Sequence, residues 1–221
     1  VVLFNVPGLQ ENNSLQGNKS KWIEYPVELK MNYIKRCVGI PGDKVEVRNR
    51  QLVVNGVTAE NPELMQYRYQ VVANVMINER IFEKLNLDPE DYRYEGLSNE
   101  NQAVYMIYLT AAKAVELKSL PYIKSVEVMP IDAYGESPTY PQYSGIKWSG
   151  DNYGPITIPS KGLTILLNDS TVAFYGKMIE KYEHNKNVVV ENGTVSMDGK
   201  EIKEYTFKQD YYFMMGDNRH N

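Results

Sequence analysis

The run Lys44-Val45-Glu46-Val47-Arg48-Asn49, leading to Val54-Asn55-Gly56, has a counterpart in Asn187-Val188-Val189-Val190-Glu191-Asn192, leading to Met197-Asp198-Gly199. Each reads strand, turn, strand, then Asn-Gly or Asp-Gly. Those dipeptides tolerate the positive φ that a tight hairpin needs, and the β-branched residues between them suit a pleated, half-buried surface. The pattern points to a β-rich body. It leaves two readings open: any two hairpins with such turns look alike, or the two pack pseudo-symmetrically within one body.

At 221 residues, with 43% hydrophobic content, the chain can fill one large core or two modest ones. It carries 24 basic and 28 acidic residues, a formal charge of -4, with no Lys/Arg cluster of the kind that tracks a nucleic-acid backbone. Nucleic acid is therefore not expected as a partner. The single cysteine, Cys37, cannot form an internal disulfide and leaves the redox compartment undecided. No stretch reaches the roughly 18 uninterrupted apolar residues of a membrane helix, and no signal peptide opens the sequence. Val1 begins inside a strand-like run and Asn221 ends in a loop, so both ends read as cut, as in an excised soluble piece.

Gly8 to Lys21 is polar and reads as a solvated loop. Met31 to Val38 reads as a strand, and Pro41-Gly42 sit where a type II turn prefers them. Lys44 to Val47 and Gln51 to Val54 form the first hairpin. The middle has another texture: a strand over Gln66 to Val75, a helix capped by Asn78, a strand over Val104 to Leu109, a short helix capped by Thr110 over Ala111 to Leu117, and a strand over Tyr122 to Val128. This β-α-β-α-β order suggests a small α+β unit inserted in the β body. The expected architecture is mostly β, with antiparallel sheets built from 1–56 plus 156–221 and an α+β cap over 57–155. Met129 to Pro159 reads as an irregular connection that holds a short strand within Trp148 to Pro159, and a helix follows from Ser170 or Thr171 to Tyr182, capped by Asp169 or Ser170.

Two segments carry the chemistry: Tyr33-Ile34-Lys35-Arg36-Cys37-Val38-Gly39-Ile40-Pro41-Gly42-Asp43-Lys44-Val45, and the ending Met214-Met215-Gly216-Asp217-Asn218-Arg219-His220-Asn221. Lysine has a reference pKa of about 10.4, so as a base it needs a shift of roughly three units, worth about 4 kcal/mol, which a dry apolar surround can deliver. On a strand, Tyr33 and Cys37 share the face of Lys35 while Arg36 points the other way, so no neighbour on that face is negative. An edge-strand lysine in water is the plain alternative for any lysine taken alone.

The two segments together resemble the lysine box and the terminal Gly-Asp-Asn box of type I signal peptidases. Val1-Val2-Leu3-Phe4 looks like the end of the box that precedes the lysine strand. Tyr205 to Phe213, leading into Met214, resembles versions from the Bacteroidetes lineage. The resemblance implies a membrane-anchored serine endopeptidase with a β catalytic domain, which removes signal peptides from secretory preproteins and needs no cofactor. It would sit in the bacterial inner membrane, held by an N-terminal anchor absent from this chain and facing the periplasm. Lys35 matches the general base, Tyr33 and Ile34 match positions bordering the substrate groove, and Arg36 is expected to pair with Asp217. Gly216, Asp217 and Asn218 would support the site.

By the same resemblance the nucleophilic serine, in a Ser-Met pair, belongs upstream of Val1, and the serine that contacts the lysine belongs just after Asn221. None of the serines present is taken as the nucleophile, so the piece alone is expected to be inactive. The alternative is a non-catalytic binding or assembly domain on the same scaffold. A self-cleaving repressor is disfavoured by the long inserted cap. His184 and His220 lack metal-ligand spacing, so no metal is expected, and His220 is read as part of the terminal box. The 18 tyrosines read as half-buried sheet residues rather than a stacking surface for sugars or bases.

Overall fold

The computed structural model describes residues 1–5, 9–11, 21–23, 25–131, 139–141 and 146–220. The chain opens with β1 (Val2–Asn5), β2 (Leu9–Glu11), β3 (Lys21–Ile23), β4 (Asn32–Gly39), β5 (Lys44–Arg48), β6 (Gln51–Val54) and β7 (Val57–Thr58). Its middle holds β8 (Gln66–Ala73), α1 (Glu79–Lys84), β9 (Tyr92–Leu97), β10 (Ala103–Thr110), α2 (Ala111–Lys118) and β11 (Ile123–Val128). The last third holds β12 (Tyr153–Thr157), β13 (Thr164–Leu166), α3 (Asp169–Lys181), β14 (Val188–Glu191), β15 (Thr194–Met197), β16 (Lys200–Ile202), β17 (Glu204–Thr206) and β18 (Phe213–Met215). The molecule is mostly β, with antiparallel strand pairs throughout. Among the described residues no helix is long and apolar enough to cross a membrane.

Two apolar clusters organise these elements. The first belongs to the sheet β11-β8-β10-β9. Tyr69, Val71 and Ala73 alternate along β8, and Ala103, Tyr105, Ile107 and Leu109 along β10, so each strand turns one face to Phe82 of α1 and to Ala114 and Leu117 of α2. Complete burial of a chain such as Ile107 or Leu117 contributes about 1.5–3 kcal/mol each. Asn78 caps α1 by accepting from the Arg80 N–H, and Thr110 caps α2 by accepting from the Lys113 N–H. The sequence order missed one strand. With β9 added, the unit runs β-α-β-β-α-β with its strands ordered four, one, three, two, the split βαβ arrangement.

The second cluster gathers Val45, Val47 and Leu52 of the first hairpin with Val195 of the second. Ile156, Ile158, Tyr205 and Phe207 join them, as do Val172, Tyr175 and Ile179 of α3. The two Asx-Gly hairpins thus lie in separate sheets and share one core. Ala59, Trp148 and Tyr153, which the sequence division places within 57–155, pack with this second cluster, and β7 pairs with β6.

Smaller differences have local causes. The helix cap is Asn168 rather than Asp169 or Ser170; its side chain accepts from Ser170 N and Thr171 N, while the Asn168 N–H donates to Thr171 Oγ1. Part of the polar stretch near the N-terminus is a ladder of β2 with β3, and residues 12–20 lie outside the described residues. The turn after β4 is as expected: Asp43 N–H donates to the Ile40 carbonyl, and Gly42 takes φ 91° at the third position.

Candidate active site

Lys35 lies on β4, the middle strand of the sheet β1-β4-β18. β1 pairs with Asn32 to Lys35, and β18 pairs with Arg36, Cys37 and Gly39. Strand alternation therefore sends Lys35 and Arg36 to opposite faces, and each meets the terminal segment in a different way. Arg36 donates from Nε to Asp217 Oδ1 at 2.9 Å and from Nη2 to Asp217 Oδ2 at 2.8 Å, a two-point fork across 181 residues of chain. The guanidinium, through these hydrogen bonds, holds the Asp217 carboxyl below the usual carboxylate range. The pair is half-exposed, at 36% and 32% of side-chain surface.

Lys35 is half-buried, and its Nζ lies 5.7 Å from the centroid of the Tyr33 ring. Among the described residues no hydrogen bond or ion pair engages this amine. Gly216 closes over it: a Cβ built there would lie 3.0 Å from Lys35 Nζ and 3.3 Å from the Asn218 carbonyl oxygen. A side chain at 216 would therefore press directly on the amine. Tyr33 and Ile34, the other residues singled out on this strand, are 42% and 67% exposed. Because β18 reaches only Arg36 to Gly39, the backbone of Tyr33 and Ile34 has no strand partner on that edge among the described residues.

The sequence does contain one Ser-Met pair, Ser196-Met197. It lies on β15, between β14 and β16, in a different sheet from Lys35, and no hydrogen bond joins the two. Cys37 points its thiol at the Gly39 carbonyl, 3.5 Å away. Among the described residues no group of His, Cys, Asp and Glu side chains is arranged to hold a metal.

The terminal segment is anchored by residues to which the motifs gave no role. Gln66 N–H donates to the Asp217 carbonyl at 2.9 Å and Arg219 N–H to the Gln66 carbonyl at 3.0 Å, a parallel bridge onto the start of β8. His220 is buried, with Nε2 2.8 Å from Asp151 Oδ1. Upstream, Glu183 is 1% exposed; its carboxylate accepts from Tyr205 Oη at 2.9 Å, Tyr211 Oη at 2.7 Å and Lys208 N at 2.6 Å. It thereby fixes the stretch that feeds β18. Burial pushes the Tyr205 phenol up to about 12 and that of Tyr211 higher still, so both remain donors.

Comparison with known proteins gives the same direction. The sequence pattern of the family described as "Signal peptidase, peptidase S26" matches residues 1–107. Signal peptidase I of Bacillus caldolyticus is 30% identical over 77 residues, which cover 30% of this chain and 42% of that protein. Signal peptidase IB of Staphylococcus aureus (strain COL) is 35% identical over 63 residues, 28% of this chain and 31% of its own length. Signal peptidase I U of Bacillus subtilis (strain 168) is 38% identical over 40 residues, 18% of this chain and 21% of its own length. The matches thus span between 21% and 42% of these relatives' own length. No solved structure matches the chain.

Proposed function

We propose that this chain, related through its first 107 residues to the type I signal peptidases, is the catalytic portion of an endopeptidase that cuts signal peptides from secretory preproteins. One observation carries the reading: Lys35 sits under the Gly216 backbone and beside the Tyr33 ring, one residue from an Arg36 locked to Asp217. Lys35 acts as the general base. It takes the proton of a serine hydroxyl as that oxygen attacks the scissile carbonyl, and a bound peptide would exclude water from around the amine. The unpaired edge at Tyr33 and Ile34 offers backbone groups to an extended peptide, which would add as a strand, with the exposed Ile34 side chain as an apolar contact. Arg36, Gly216, Asp217 and Asn218 hold the lysine's surroundings in place.

The serine is supplied from outside these 221 residues, so this chain alone does not cleave. The whole protein is held in the bacterial inner membrane by a segment outside this chain, with this portion on the periplasmic side. Residues 1–56 with 156–221 form the catalytic body, and the βαββαβ unit within 57–155 is a cap over it. In a strain depleted of its own signal peptidase, the full-length gene should restore growth and the 221-residue piece should not. Failure of the full-length gene to restore preprotein processing would overturn the reading.

The close approach at 216 gives a sharper test. Gly216→Ala in the full-length protein should displace the Lys35 amine by tenths of an ångström and lower kcat about tenfold, because misplacing a catalytic group is costly out of proportion to the distance. The thermal midpoint should hardly move. Unchanged kcat would show that the amine's position does not limit turnover.

A further inference from the structure

The His220 ring is 1% exposed and uses both nitrogens. The Arg68 N–H donates to Nδ1 at 3.3 Å, and Nε2 lies 2.8 Å from Asp151 Oδ1. A backbone N–H can only donate, so Nδ1 carries no proton, and Nε2 therefore donates to the carboxylate. The Tyr67 ring stands edge-on at 5.0 Å, and Tyr108 Oη reaches the His220 carbonyl at 3.5 Å. Asp151 in turn faces Arg50, with Nη1 3.5 Å from Oδ2 and the Arg50 N–H donating to the Asp151 carbonyl at 2.8 Å. One imidazole thus ties the terminal segment to β8, to the turn between β5 and β6, and to the approach to β12.

We propose that His220 is a positioning residue of the lysine site: its neutral ring locks the segment 216–220 in place, so that Asp217 meets Arg36 and the Gly216 backbone lies against Lys35. The link to cleavage rests on the peptidase reading; the docking does not. The lock exists in one protonation state, since a second proton on the ring would set Nδ1–H against the Arg68 N–H. The groups facing the ring are Asp151, Arg50 and Arg68, with the Tyr67 phenol; the Tyr108 phenol meets the His220 backbone carbonyl, and Asp217 and Arg219 share its segment. Burial holds the His220 pKa below its ordinary value, Asp151 opposes this, and Arg68 and Arg50 add to it. The undocked ring therefore binds protons more readily than the docked one. Docking is complete above the undocked value of about 6.5 and weakens as pH falls below it towards the docked value, by up to tenfold per pH unit in that window.

Hydrogen exchange at the Gln66 and Arg219 amides reads the docking, and preprotein cleavage by the full-length protein reads its consequence. In the wild type, protection at both amides, corrected for intrinsic rates, should fall between about pH 7.5 and pH 5.5 while that of Val71 and Ile107 in the cap sheet persists. His220→Ala should lose protection at both pH values and lower kcat about tenfold with little change in KM. His220→Gln keeps a donor for Asp151 and cannot titrate, so it should recover most of the turnover and show no acid loss. PH-independent protection in the wild type, or unchanged protection and kcat in His220→Ala, would overturn the proposal. If His220→Ala unfolds, exposing Val71 and Ile107, the wild-type and His220→Gln pH series still decide. A full-length protein that cuts nothing, yet shows the expected exchange, refutes the peptidase reading and leaves the docking role standing.

Discussion

Lys35→Ala in the full-length protein is expected to reduce kcat for preprotein cleavage by about a thousandfold or more, the scale of losing a general base together with the nucleophile it activates. The fold should survive. Lys35 is half-buried, its amine lies beside the Tyr33 ring and under Gly216, and β4 keeps its ladders to β1 and β18 without it. The change in stability should stay within about 1 kcal/mol. Lys35→Arg should fail equally, because a guanidinium keeps its charge and cannot accept the serine proton. Turnover and thermal midpoint measured on the same preparations separate the two effects. Near-normal turnover in Lys35→Ala would remove this residue from the chemistry.

Glu183→Ala should cost about 3–5 kcal/mol of stability, read as a fall of roughly 10 °C in thermal midpoint. Three donors converge on this carboxylate from β17 and from the stretch before β18, and alanine would leave Tyr205 Oη, Tyr211 Oη and Lys208 N–H facing one another without their acceptor. Glu183→Gln retains one acceptor oxygen and should cost markedly less. Urea unfolding of the two variants beside the wild type provides the ordering; equal stability of all three would show that the network does not hold this region. The stretch it fixes leads directly into Met214 to Asp217, so the same buried carboxylate supports the ground on which the lysine site stands.

The parts of the molecule that short-range chemistry determines are legible in the sequence. The Asx-Gly turns are one case, with Asn55 at φ 52°, Asp198 at φ 50° and a glycine following each in the positive-φ region. The Asn78 and Thr110 caps, and the apolar alternation of β8 and β10, are others. β9 is not evident from the sequence because the alternation of Tyr92 and Tyr94 with Arg93 and Glu95 is short and stops at Gly96; it is a mostly exposed edge strand, and its register shifts beside Gly96. α3 starts one or two residues earlier than the sequence suggests because Asn168, Asp169 and Ser170 are all good cap formers.

The supports of the site were hidden for a different reason. A carboxylate such as Asp151 or Glu183 reads as a surface residue in sequence. Its burial depends on partners brought from 69 residues away for Asp151 and His220, and from 28 away for Glu183 and Tyr211. The Arg36–Asp217 fork spans more chain than either, yet it could be anticipated from the two motifs that carry it. The sequence expectation of a dry lysine also needs adjustment: Lys35 is half-buried in the chain by itself rather than enclosed in an apolar surround.

The most direct measurement is mass spectrometry of a secretory preprotein after incubation with the full-length protein, wild type and Lys35→Ala side by side. The account predicts one cut in the wild-type reaction, at the junction of signal peptide and mature protein, and intact preprotein with the variant. An uncut preprotein with the wild type, or the same cut from both, would contradict it.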